Sequence, residues 1–155
     1  MLKSVKKIKS QRSDGHAFAI VASRYNSQFV DAMLRAAKAE LLRVGAKLQI
    51  VRVPGAYEIP VVVAKLARAR RVSAVICLGV ILRGHTVHAA HIGDAVSSAL
   101  MQIQLETEIP IIHEVLLLEN EEQAKVRCLS TTHNRGMEAA QTAIAMSLVM
   151  QSLRE

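Results

Sequence analysis

The sequence predicts a three-layer α/β sandwich built on a four-stranded parallel sheet. Three observations carry that reading. At 155 residues the chain is long enough for one compact domain and short of two ordinary ones. It is 51% hydrophobic but holds only two Tyr, two Phe and no Trp, so its core is aliphatic, as suits a parallel sheet covered by helices on both faces. Short β-prone runs also alternate with stretches of helical spacing, the pattern of right-handed strand–helix–strand crossovers.

In chain order, Ala17–Ser23 is the first β-prone run. Asn26 or Ser27 is placed to cap the helix that follows. Val30, Met33, Leu34, Ala37, Leu41 and Val44 recur at helical intervals, and Gly45 supplies a stop. Leu48–Val53 is a second strand, closed by Pro54 and Gly55. The stretch Ile59–Arg71 mixes a β-branched triplet with Ala-rich sequence; Pro60 suits a first helical turn, and we read a helix. Ser73–Gly79 is apolar throughout and belongs at the sheet centre. A long helix runs from about Thr86 to Glu106. Pro110–Leu117 is the fourth strand, Glu121–Arg127 a short helix, and Asn134–Leu153 the last helix.

The charge of +7 invites a nucleic-acid reading, but its distribution argues against one. Lys3, Lys6, Lys7, Lys9 and Arg12 lie in a stretch without acids, read as a solvated basic tail (1–12) ahead of a domain over 13–155. Single-strand binding also wants aromatic stacking platforms, which are nearly absent. No specific nucleic-acid partner is therefore expected. Cys77 and Cys128 show no metal or redox spacing. No signal peptide is expected, and the longest apolar stretch, Ala74 to Leu82, is far too short to span a membrane. A soluble, cytoplasmic protein without a membrane partner is the expectation.

Ligands of open parallel sheets bind beyond the carboxyl ends of the strands. Four segments are expected to follow those ends: Arg24–Asn26, Pro54–Pro60, Val80–His88, and the stretch after His113. Gly84 permits a tight turn, and His85 and Thr86 at a helix N-terminus would make an anion site; an ordinary capped turn is the alternative. His88 near the same mouth can move protons or be structural. His85, His88 and His91 repeat every three residues, which fans them around a helix, so no metal site is expected. Arg127 can clamp a phosphate bidentately, or be a surface residue paired with Glu121 or Glu122. Tyr25 can stack on a planar heterocycle or be a rim aromatic. Glu58, beside Tyr57, can accept from ligand hydroxyls or simply begin a helix.

In this order the segments VASRYN (21–26), VPGAYEIP (53–60), LGVILRGHTVH (78–88), LETEIP (105–110) and HNRGMEAA (133–140) resemble the lumazine synthases. The resemblance covers the chain from about residue 17 to 153. It implies a flavodoxin-like fold and condensation of 5-amino-6-(D-ribitylamino)uracil with 3,4-dihydroxy-2-butanone 4-phosphate, without cofactor or metal. It also implies pentamers with sites between subunits, in some members assembled as decamers or 60-subunit shells. It assigns Tyr25 to stacking on the pyrimidine, and Ala56, Tyr57 and Glu58 to the ribityl chain. Val80, Ile81 and Leu82 read the pyrimidine edge. His85, Thr86 and Arg127 hold phosphate, and His88 transfers protons. His113 stands against the ring, and Arg135 takes a substrate-binding lysine's place.

The chain departs from the family at several of these points. Ala90 stands where a carboxylate is usual, which predicts slower proton transfer. His113 replaces Phe, Glu114 replaces Gly, and Thr131 replaces Lys. A low-activity paralogue that binds flavin or lumazine, or builds a shell, is therefore the alternative. The archaeal type of riboflavin synthase is disfavoured by the intact RGHTVH and GAYEIP segments. Apolar residues around the long helix (Ala89, Ala95, Val96, Ala99, Ile103) predict helix packing about a fivefold axis.

Overall fold

The computed structural model describes residues 16–154, so the basic stretch expected over 1–12 lies outside the described residues. The elements are β1 (Ala17–Ser23), α1 (Ser27–Arg43), β2 (Lys47–Val53), a 3₁₀ turn (Ala56–Glu58) leading into α2 (Ile59–Arg68), β3 (Ala74–Leu82), α3 (His88–Thr107), β4 (Ile111–Leu118), α4 (Glu121–Cys128) and α5 (Arg135–Ser152). The four strands are all parallel, in the order β2-β1-β3-β4. This is the predicted three-layer α/β sandwich.

Alternation along the strands sorts the core into two halves. Phe18, Ile20, Ile76 and Leu78 pack against Phe29 and Met33 of α1 and Ala140 and Ile144 of α5. Ala19, Val21, Val75 and Cys77 face Ile59 and Val63 of α2 and Val96 and Leu100 of α3. Both phenylalanines lie in the first half; the second is aliphatic. Gly45 ends α1 with a left-handed φ of 74°, as the sequence suggested. Gly136 brings α5 onto α1: a Cβ there would overlap the Met33 carbonyl, so no larger residue fits without moving a helix.

Some boundaries differ from expectation, each for a local reason. β3 runs to Leu82 and does not stop at Gly79, because β4 pairs with it through Leu82↔Leu118. β1 pairs with β3 only as far as Leu78, so the final stretch of β3 has a strand on one side alone. α2 stops at Arg68, and Arg70 takes a left-handed φ of 54°. α3 starts at His88, not Thr86. On α3, Ala89, Val96 and Ile103 are buried against the chain's own sheet, correcting their assignment to an intersubunit face, whereas Ala95 is exposed; the exposed large apolar side chains there are Met101 and Leu105. No helix among the described residues is long and apolar enough to cross a membrane.

Candidate active site

Three segments far apart in sequence meet beyond the carboxyl ends of β1, β2 and β3. Arg24 N–H donates to the Val53 carbonyl at 2.8 Å and Tyr25 N–H to the Pro54 carbonyl at 3.1 Å, which fastens the first loop to the second. The Tyr25 ring lies beside Gly55 and is 74% exposed. Asn26 was expected to cap α1 with its side chain, and it does not. Its backbone takes a left-handed φ of 55°, and its Nδ2 donates to the Val80 carbonyl at 2.7 Å. That carbonyl is reachable because β1 has already ended.

The second segment is held by its own carboxylate. Glu58 Oε2 accepts from Gly55 N–H at 3.0 Å, closing the 3₁₀ turn. The turn buries Ala56 and leaves Tyr57 65% exposed. The third segment is not the loop expected from Val80 onward. Val80, Ile81 and Leu82 are the last residues of β3, with one backbone edge unpaired by any strand. An unpaired strand edge presents fixed N–H and C=O groups, which suit recognition of a planar amide-bearing ring.

The turn after β3 is exposed throughout. His85 and Thr86 precede α3 and do not sit in its first turn; Thr86 Oγ1 accepts from His88 N–H at 3.4 Å. Gly84 faces open space and does not adopt a positive φ, so nothing within the chain requires glycine there. His88 is the first residue of α3, not one turn inside it. Its imidazole has no hydrogen-bond partner among the described residues, and Ala90 supplies none. No group of three or more His, Cys, Asp or Glu side chains among the described residues is placed to hold a metal ion.

The remaining sequence-predicted residues lie elsewhere in the chain. His113 is mid-strand in β4, not at a strand end, because β4 continues to Leu118. Val115 N–H donates to its Nδ1 at 3.1 Å, which puts the ring proton on Nε2, 2.8 Å from Ser97 Oγ. Partial burial lowers the His113 pKa from its ordinary value and so disfavours the charged ring. Arg127 is near the end of α4. It pairs with neither Glu121 nor Glu122; Lys125 takes Glu122 at 2.7 Å.

Arg135 begins α5 and is engaged by carboxylates: Glu114 at 3.0 and 3.1 Å, and Glu138 at 2.8 Å. Burial pushes the Glu114 carboxyl upward in pKa, and Arg135 pulls it back. Cys128 beside them is raised to about 11, by burial first and by Glu114 second. Burial also raises the Cys77 thiol, so both cysteines are unreactive core residues. The Asn26 bridge, Ser97 and the Glu114 clamp were not anticipated. A glutamate flanked by His113 in a strand whose other residues are apolar is the signal that was available, since a buried carboxylate needs a partner.

The family model of 6,7-dimethyl-8-ribityllumazine synthase matches residues 15–151. The chain is 40% identical over 146 residues to the 6,7-dimethyl-8-ribityllumazine synthase of Desulfotalea psychrophila, covering 92% of this chain and 94% of that protein. It is 41% identical over 143 residues to that of Salinibacter ruber, covering 90% and 92%. It is 37% identical over 139 residues to that of Stenotrophomonas maltophilia, covering 88% and 90%. Since the match runs from the first strand into the last turn of the last helix, the chain belongs to the 6,7-dimethyl-8-ribityllumazine synthase family, transferases of riboflavin biosynthesis.

Proposed function

We propose that this chain condenses 5-amino-6-(D-ribitylamino)uracil with 3,4-dihydroxy-2-butanone 4-phosphate, giving 6,7-dimethyl-8-ribityllumazine, phosphate and two waters. One observation carries the reading: the VASRYN, VPGAYEIP and LGVILRGHTVH segments converge on one mouth, tied by Tyr25–Pro54 and Asn26–Val80 hydrogen bonds. In that mouth Tyr25 stacks on the pyrimidine, the Val80–Leu82 edge reads its amide groups, and Ala56, Tyr57 and Glu58 receive the ribityl chain.

The uracil's free amino group attacks the ketone and forms an imine with loss of water. Phosphate then leaves by elimination, and the ribityl-bearing amine attacks the remaining carbonyl, closing the ring with loss of a second water. Arg127 with the His85–Thr86 turn holds the phosphate, His88 moves protons, and Arg135 and His113 complete the pyrimidine side. No hydrogen bond or ion pair among the described residues links Arg127, Arg135 or His113 to Tyr25, Glu58 or His88. The family resemblance, with the exposed Met101 and Leu105 on α3, supports a closed ring of five in which each site draws on two subunits. Decamers or 60-subunit shells are further stages of the same assembly.

Mixing both substrates with purified protein is expected to raise lumazine absorbance above the spontaneous background. No rise above a protein-free control overturns the proposal. One observation favours a second reading, a low-activity paralogue that binds flavin or lumazine: the His88 imidazole stands without an orienting partner. Tight lumazine binding without turnover would select it.

A further inference from the structure

Two guanidinium groups share one neighbourhood beside β4 and are committed very differently. Glu114 is 8% exposed, and both of its carboxylate oxygens face Arg135. Arg135 Nε donates to one at 3.1 Å and Nη2 to the other at 3.0 Å, while Nη1 donates to Glu138 at 2.8 Å. A guanidinium has five N–H donors. Three are taken here, one on each nitrogen, and the cation faces two carboxylates. Arg127 makes no hydrogen bond or ion pair among the described residues, yet its charge and that of Arg135 both act on the Glu114 carboxyl.

A fork-on-fork pair fixes the plane of a guanidinium and cancels its field nearby. With Glu138 added, the Arg135 group presents a net negative charge to a second anion. Its remaining N–H groups can still donate to uncharged carbonyls or hydroxyls.

We propose that Glu114 is a specificity-determining positioning residue: it ties up Arg135 as a directed donor for uncharged polar groups and leaves Arg127, of these two, to receive the phosphate. This rests on the reading above, in which one substrate is an uncharged ribityl-pyrimidine and the other is phosphorylated. Glu114 thereby separates the two substrates between two cations.

The test is calorimetric titration of the full chain with inorganic phosphate, for the native protein and for Glu114→Gln, Glu138→Gln and Arg127→Ala. Removing the Glu114 charge frees a second cation, so phosphate should bind roughly threefold tighter or more. Glu138→Gln should shift affinity in the same direction, and carries the test if Glu114→Gln does not fold. Arg127→Ala should weaken phosphate about tenfold or more. In turnover, Glu114→Gln should lower KM for the phosphorylated substrate and strengthen inhibition by phosphate. A purely structural Glu114 produces no such gain. Unchanged phosphate affinity in a folded Glu114→Gln protein overturns the proposal, and if that variant does not fold, unchanged affinity in Glu138→Gln does. A gain in phosphate affinity without lumazine formation by the native protein keeps the charge assignment and overturns the proposed reaction. Lumazine formation with unchanged phosphate affinity does the reverse. Absence of phosphate binding in all four proteins overturns the assignment of Arg127 as well.

Discussion

Asn26 donates from its side-chain amide to the Val80 carbonyl across 2.7 Å, so the loop leaving β1 is tied to the end of β3 that β1 no longer covers. Asn26 also holds a left-handed φ of 55°, which glycine tolerates and most residues do not. Asn26→Gly therefore removes the amide and spares the backbone. The expected result is an intact fold with KM for the uracil substrate raised about two- to tenfold, the worth of one hydrogen bond. Unchanged KM in steady-state kinetics would show that the tie does not shape the mouth.

His88→Ala should lower kcat while leaving lumazine affinity nearly unchanged. General acid–base groups contribute about 10²–10⁴-fold. The loss here belongs at or below the low end, because no partner orients the imidazole. Full turnover in the variant would reassign His88 to structure.

If each site draws on two subunits, His88→Ala and Arg127→Ala chains should complement each other. Random mixing in a ring leaves about a quarter of sites with both residues intact. Co-refolded mixtures should recover that fraction of native turnover, well above either variant alone. Recovery no greater than the average of the two would place both residues in one subunit's site. An active monomer by light scattering would overturn the assembly outright.

His113 gives the fold a pH dependence of definite sign. Burial lowers its pKa below the ordinary 6.5, so the folded protein prefers the neutral ring. The stability this contributes is present above that ordinary value and is lost as pH falls through the lowered one. Thermal unfolding at about pH 7.5 and about pH 5 should show a larger drop in Tm for the native chain than for His113→Phe. Equal drops would assign the acid sensitivity to other groups.

The hydrophobic pattern made the sheet legible, because β3 is buried on both faces and reads as an unbroken apolar run. The local pattern ends it at Gly79; the partner strand that carries β3 on to Leu82 is a long-range fact. Thr86 misled in a similar way. Its hydroxyl bonds His88 N–H just before the helix, so it has the chemistry of a cap without the position of one. Asn26 has the position of a cap, but its amide is drawn to a carbonyl 54 residues away in sequence.

Tyr25 and the Pro54–Glu58 segment were readable because they follow β1 and β2, whose ends are set by local pattern; Val80–Leu82 lie inside β3, whose end depends on β4. His113 and Glu114 were not readable to the same degree. Adjacent strand residues point to opposite faces, so one was bound to face α3 and the other α5. Which side chains wait there, Ser97 and Arg135, depends on how the helices pack across the sheet.

The chain contains no tryptophan and only two tyrosines, and both tyrosines stand exposed at the mouth. Its intrinsic ultraviolet emission therefore originates almost wholly from Tyr25 and Tyr57, with no signal from the core to mask them. A heterocycle settling against Tyr25 would quench that emission directly. Occupancy of the proposed site can thus be followed in the unlabelled native chain, by light that comes almost wholly from the two tyrosines at its mouth.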